Sequence, residues 1–111
     1  MNDKILNFLG LCRRAGKLTV GNDAVVDEIK NNKAKLVIVS VDISSNTEKK
    51  LKKACGYANV ECLKLNRSRD ELSTALGKFC VVIAVLDDGF AKKLTQLIKI
   101  ENQEVTVYDK I

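Results

Sequence analysis

Residues 15–40, AGKLTVGNDAVVDEIKNNKAKLVIVS, decide how the chain folds. They read as a basic turn, a glycine, a capped helix, a lysine-rich loop and a strand. The LVIV run at 36–39 is continuous, apolar and largely β-branched, with polar residues on both sides. That is the pattern of a strand buried on both faces. Ahead of it, Val25 and Ile29 mark the inward face of a helix for which Asn22 is the expected N-cap. Residues 18–20 are expected to run extended. A polar glycine turn that feeds a helix start is a place where backbone amides and side chains can meet an anion or a base edge.

Upstream, Ile5, Phe8, Leu9 and Cys12 fall at i, i+3, i+4 and i+7, the stripe of an amphipathic first helix. Arg13 and Arg14 close it before Gly16, and they read equally as a complement to the helix dipole or as contacts to an anionic partner. Downstream, Ser45-Asn46-Thr47-Glu48 has the form of a capping box. The helix it opens would turn Leu51, Ala54 and Cys55 inward and crowd Lys49, Lys50, Lys52 and Lys53 outside. Residues 60–65 suit a second strand. Ser68-Arg69-Asp70-Glu71 is another capping box, for a short helix with Leu72, Ala75 and Leu76 apolar and Gly77 as its stop. A third buried strand is expected at 80–86. Asp87 and Asp88 then cap a last helix carrying Phe90, Leu94, Leu97 and Ile98. Residues 104–108 fit an edge strand or a loose tail. Strands alternating with helices predict one α/β domain over 1–111, with helices on both faces of a single sheet.

Composition narrows the partner. Apolar residues make up 46% and charged residues 30% of the chain, ordinary for a globular domain. The net charge is +5, and its excess sits before Phe79: 15 basic and 9 acidic residues up to Lys78, against 4 and 5 afterwards. A polyanion would therefore be met by the first two thirds, although solubility alone accounts for a moderate excess. No apolar run is long enough for a bilayer, and the first eight residues lack a signal-peptide core, so a soluble cytoplasmic protein is expected. Cys12, Cys55, Cys62 and Cys80 show no paired spacing and there is no histidine. They read as small buried hydrophobes in a reducing compartment, with no metal site.

Catalytic chemistry finds few residues. Without histidine the common neutral-pH general base is missing. Asp87-Asp88 is better explained by capping than as a carboxylate pair. The stretch from Gly10 to Leu18 resembles a P-loop but has one residue too many between its glycines and Leu18 where a hydroxyl must bind magnesium. Asp42 follows a buried strand as in phospho-receiver domains, but the region after the first strand offers Lys17 and Asn22 in place of metal-binding acids. What remains are two polar turns before helix starts, around Gly21-Asn22-Asp23 and Asn66-Arg67-Ser68-Arg69. Asn22 can donate to and accept from a base edge, and Asp23 can accept from guanine N–H groups. On spacing alone the same turns also read as two ordinary N-caps on a solvated face.

Taken in order, Ala15-Gly16-Lys17-Leu18-x-x-Gly21, a short polar helix, the AKLVIV run at 34–39 and Asp42 resemble the kink-turn-binding ribosomal-protein superfamily. That superfamily includes large-subunit proteins of the archaeal L-seven-Ae and eukaryotic L-thirty-e types. Ser68-Arg69-x-x-Leu72, Leu76-Gly77-Lys78, the strand at 80–86 and the helix start at 87–93 look most like its bacterial YlxQ-like branch. The resemblance extends to about Leu97. It implies a three-layer α/β/α sandwich with a central mixed sheet of about four strands. It also implies non-catalytic binding of structured RNA, often a kink-turn with tandem sheared G·A pairs.

In the family the turn reads Gly-x-Asn-Glu with a lysine one turn on, and a hydrophobic-to-polar loop, matched here by 65–69, forms the opposite wall. Aligned on Gly21, this chain places Asp23, Ala24 and Asp27 at the Asn, Glu and Lys positions. Shifted by one residue, Asn22-Asp23 matches and Val26 takes the lysine's place. Lys17, Lys30, Arg67 and Arg69 are the candidates to supply the missing positive charge. The expected RNA-binding set is thus Lys17, Gly21, Asn22, Asp23, Lys30, Asn66, Arg67, Ser68 and Arg69, with the two turns side by side. Ribosomal or other kink-turn RNA, and the ribosome itself, are the expected partners of a monomer that needs no cofactor and touches no membrane. The rival reading is a protein–protein interaction module on the same fold, its lysines merely solvated.

Overall fold

The computed structural model describes residues 3–110, with side chains through Gln103. The elements are α1 (Lys4–Arg14), β1 (Leu18–Val20), α2 (Asn22–Lys30), β2 (Leu36–Ser40), α3 (Ser45–Ala58), β3 (Cys62–Leu65), α4 (Arg69–Leu76), β4 (Val82–Val85) and α5 (Asp88–Lys110). The four strands form one mixed sheet in the order β1-β4-β2-β3. β4 pairs antiparallel with both β1 and β2, whereas β2 and β3 run parallel.

The apolar run that suggested a doubly buried strand is the middle of this sheet. Every residue of β2 and of β4 is buried. Because side chains alternate across a strand, each run supplies two cores at once. Leu36 and Ile38 of β2, with Ile83 and Val85 of β4, pack against Ile5, Leu9 and Cys12 of α1, Leu72 and Leu76 of α4, and Leu94 and Ile98 of α5. Val37, Val39, Val82 and Ala84 point the other way, against Val25 and Ile29 of α2 and Leu51 and Cys55 of α3. The result is the expected three-layer α/β/α sandwich, with α1, α4 and α5 on one face and α2 and α3 on the other. Each fully buried Leu or Ile contributes roughly 1.5–3 kcal/mol of transfer free energy, so the central pair carries much of the fold's stability. The cysteines are divided between the cores, Cys12 and Cys80 on one side and Cys55 and Cys62 on the other. Among the described residues no helix is long and apolar enough to cross a membrane.

Local signals set most helix ends. Asp3 caps α1 by accepting from the Leu6 amide at 3.1 Å. Ser68 and Glu71 form the reciprocal capping box of α4, and Gly77 closes that helix in the left-handed region at φ 71°. The Asp87 carboxylate accepts from the Phe90 amide at 2.9 Å at the start of α5.

Three expectations need correction. α3 is capped by Ser44, whose hydroxyl accepts from the Thr47 amide, not by a box on Ser45; Glu48 instead pairs with Lys52 and Lys64. Residues 104–108 are not an edge strand, since the backbone of α5 stays helical through Lys110. No glycine or proline follows Gly89 to stop that ladder.

The third correction concerns Asn22, which is the first helical residue of α2 and not its cap. The cap is Gly21, at φ 108° and ψ 151°, with no side-chain hydrogen bond to the helix. Its amide donates to the Val82 carbonyl at 3.1 Å, while its own carbonyl accepts from Val25 at 3.0 Å. One residue thus extends the β1–β4 ladder and opens the helix, in a conformation open in practice only to glycine. Gly21→Ala should therefore cost about 1–3 kcal/mol of stability, seen as a lower urea midpoint at unchanged slope. Nothing lies within 4 Å of the added Cβ, so the loss would be backbone strain and not a clash.

Candidate nucleic-acid interface

The pairing pattern gathers turns at one end of the sheet. Val20 pairs with Ile83, Val39 with Val82, and Ser40 with Leu65. β1, β2 and β3 therefore finish where β4 begins. Beyond the strands the ladder continues through Gly21 N–H to Val82, Ser40 N–H to Val81 and Val41 N–H to Arg67. The β1–α2 turn, the α4–β4 loop, the β2–α3 turn and the β3–α4 turn all converge there.

Gly21 and Ser68 share this end, but they are not neighbours. β1 and β3 are opposite edges of the sheet, three strand spacings or about 14 Å apart. What lies beside the β1–α2 turn is the loop of residues 77–81 that leads into β4. Its Lys78 is exposed, and Phe79 shows 67% of its surface to solvent. Arg13 borders the same loop, with a guanidinium nitrogen 4.0 Å from where a Cβ on Gly77 would lie. Sequence reading passed over Phe79 because it opens an apolar run that reads as strand; a lone aromatic between Lys78 and a buried cysteine was the available signal.

The β1–α2 turn keeps its polar groups available. Asn22, Asp23 and Ala24 are exposed. The amides in the first turn of a helix have no intrahelical partner, and here no side chain caps them. They form a positive, donor-rich patch suited to a phosphate or to the acceptor edge of a base.

The β3–α4 turn is spent largely on structure. Arg67 donates from Nε to Asp3 at 2.6 Å and from Nη1 and Nη2 to the Glu101 carboxylate at 2.9 Å each. Its side chain is 15% exposed. Ser68 is the α4 cap, and Arg69 is turned onto Asp42, with Nη2 to its carbonyl at 2.7 Å and its amide to the carboxylate at 2.9 Å. Asn66 is exposed at the tip. Lys17 stands at the far end of β1, its carbonyl accepting from Leu86, and Lys30 ends α2 on the side away from the turns. Of the residues singled out from sequence, Gly21, Asn22 and Asp23 come together with an exposed loop, Asn66 lies across the sheet, and Lys17 and Lys30 lie elsewhere.

The model of the ribosomal protein L7Ae/L30e/S12e/Gadd45 family matches residues 3–95. The chain belongs to that family. Its likeness to the YlxQ branch is specific: it is 43% identical over 96 residues to the RNA-binding protein YlxQ of Enterococcus faecium, covering 86% of this chain and 92% of that one. With the Bacillus subtilis protein of the same name identity is 47% over 92 residues, 82% and 91% of the two chains. A solved structure from Bacillus halodurans, described as a protein with unknown function, superposes with a TM-score of 0.82 at 40% identity, covering 86% of this chain and 97% of that one.

The Asp3–Arg67–Glu101 cluster ties together the start of α1, the β3–α4 turn and α5. Hydrogen bonds from Arg67, opposed by partial burial, hold the Asp3 carboxyl below its usual value of 3.8. A depressed carboxyl contributes stability that is complete above pH 3.8 and is lost as pH falls through its folded value. Arg67→Ala should cost about 1–3 kcal/mol in urea unfolding at neutral pH, because two carboxylates lose their partner. The difference between the two proteins should shrink in titrations carried below pH 3.8.

Proposed function

We propose that this protein binds structured RNA of the kink-turn type, without catalysing a reaction on it, through the turns at the end of the sheet where β4 begins. The observation that carries the reading is the open first turn of α2 beside a loop that exposes Lys78 and Phe79. Free amides donate to phosphate oxygens or base acceptors, Asn22 and Asp23 meet base edges, and an exposed ring offers a face for an unstacked base. The names of the YlxQ relatives as RNA-binding proteins support the choice of ligand.

In this reading Asp23 selects and Lys78 attracts. A carboxylate gains only where base N–H donors, such as those of guanine, face it and repels phosphate elsewhere, so it favours exposed G·A edges over ordinary duplex. Ribosomal RNA, within the ribosome or on the way to it, is the partner class that best fits the family. The protein would act as a monomer, because the β1–α2 turn and the 77–81 loop meet within one copy. Arg67 and Ser68 serve the wall from behind, while Asn66 and Arg69 contact RNA only where it reaches across to β3.

Titration of a kink-turn RNA at two salt concentrations tests this. Affinity should fall as salt rises, through counterion release. Phe79→Ala should weaken binding about five- to tenfold at the lower end of base–aromatic stacking energies. Lys78→Ala should weaken all RNAs alike and make the salt dependence shallower by about one unit of log–log slope. Asp23→Ala should change which RNAs are preferred. The RNA should be recovered uncut. Absence of binding at low salt would refute the proposal, and a partner that survives ribonuclease in pull-downs would favour a protein-binding module.

A further inference from the structure

α2 and α3 both start at the turn end of the sheet and run away from it, and their C-terminal halves leave a cleft of about 410 Å³ between them. This lies within the usual size of small-ligand sites. Ile29, Ala54 and Ala58 give it an apolar floor, and Lys30, Lys50 and Lys53 stand around it with no carboxylate in the lining. Tyr57 closes one side with 83% of its surface exposed. None of the three lysines forms an ion pair among the described residues, although Lys52, on the same helix, pairs with Glu48 at 3.3 Å. The last carbonyls of α3 are also occupied: Asn59, in the left-handed region, donates to Gly56, and Val60 donates to Cys55 at 2.9 Å.

We propose that this cleft is a second RNA contact, which holds one unpaired nucleotide with its base on Tyr57 and the apolar floor and its flanking phosphates on Lys30, Lys50 and Lys53. Charge complementarity calls for an anion, and the exposed ring above an apolar floor calls for a flat aromatic surface. An unpaired RNA nucleotide supplies both, whereas an acidic peptide answers only the lysines. The choice of ligand rests on the RNA-binding reading above, but the residues are separate and lie toward the opposite end of α2. The protein would then grip a folded RNA at its turns and a single-stranded segment at this cleft.

The test is nuclear magnetic resonance on the full chain, titrated at low salt with a single-stranded RNA of about six nucleotides that cannot form a kink-turn. The Tyr57 ring and the Ile29 and Ala54 methyls should shift. Tyr57→Ala and the double variant K50A/K53A should each lower affinity for this strand about five- to tenfold. Both should bind a blunt-ended kink-turn duplex as the unaltered protein does. Shifts confined to Asn22, Asp23 and Phe79 would overturn the proposal. So would equal occupancy by adenosine monophosphate, indicating a mononucleotide site, or equal competition by poly-glutamate, indicating a general anion patch. Absence of kink-turn binding with the Tyr57 shifts retained would sink kink-turn recognition and leave the α2–α3 contact standing.

Discussion

The antiparallel pairing of β2 with β4 is the constraint from which the rest of the structure follows. Both strands are buried at every residue, so neither can move to an edge without exposing apolar side chains. Placing them together at the centre leaves β1 and β3 as the edges. With β1 antiparallel to β4 and β3 parallel to β2, three strands end where β4 begins. Four connections therefore emerge at one end of the molecule, supported from below by a continuous hydrogen-bonded ladder. Turns on such a rigid platform can present amides and side chains in fixed relation, as recognition of a folded RNA demands.

Within that platform the glycine and the arginine have opposite duties. Gly21 carries the strand-to-helix transition alone, and by lacking a side-chain cap it leaves the first turn of α2 open to a ligand. Arg67 looks like a surface cation in a polar turn, yet its guanidinium is divided between Asp3 and Glu101. It fastens the start of α1 and the middle of α5 to the β3–α4 turn. A basic residue in a candidate binding loop is thus no guide to contact until its partners are known.

The two helical layers also differ in chemical character. The α2–α3 side carries an apolar cleft rimmed by lysines, whereas the cleft between α1 and α4 is lined by Asp3, Asp70 and Glu71 together with Leu6, Asn7, Thr74 and Ala75. A net charge of +5 conceals this division. A polyanion is drawn to the lysine-rimmed cleft and repelled from the acidic one.

The sequence by itself determined the class of fold, the helix faces and the starts of α4 and α5. These depend on residues within one turn or one strand of each other: the doubly apolar run at 36–39, the Ser68–Glu71 box, and the Ile5-Leu9-Cys12 stripe. It also marked Gly21, Asn22 and Asp23, because a glycine before a polar helix start is a local pattern. Only the tertiary structure decided which turns are neighbours, since strand order depends on pairing between residues such as Val20 and Ile83 that are far apart in the chain. The same physics gave Arg67 its carboxylate partners, 64 and 34 residues away. It left Lys78 and Phe79 exposed beside the β1–α2 turn, because burial is a property of the assembled core.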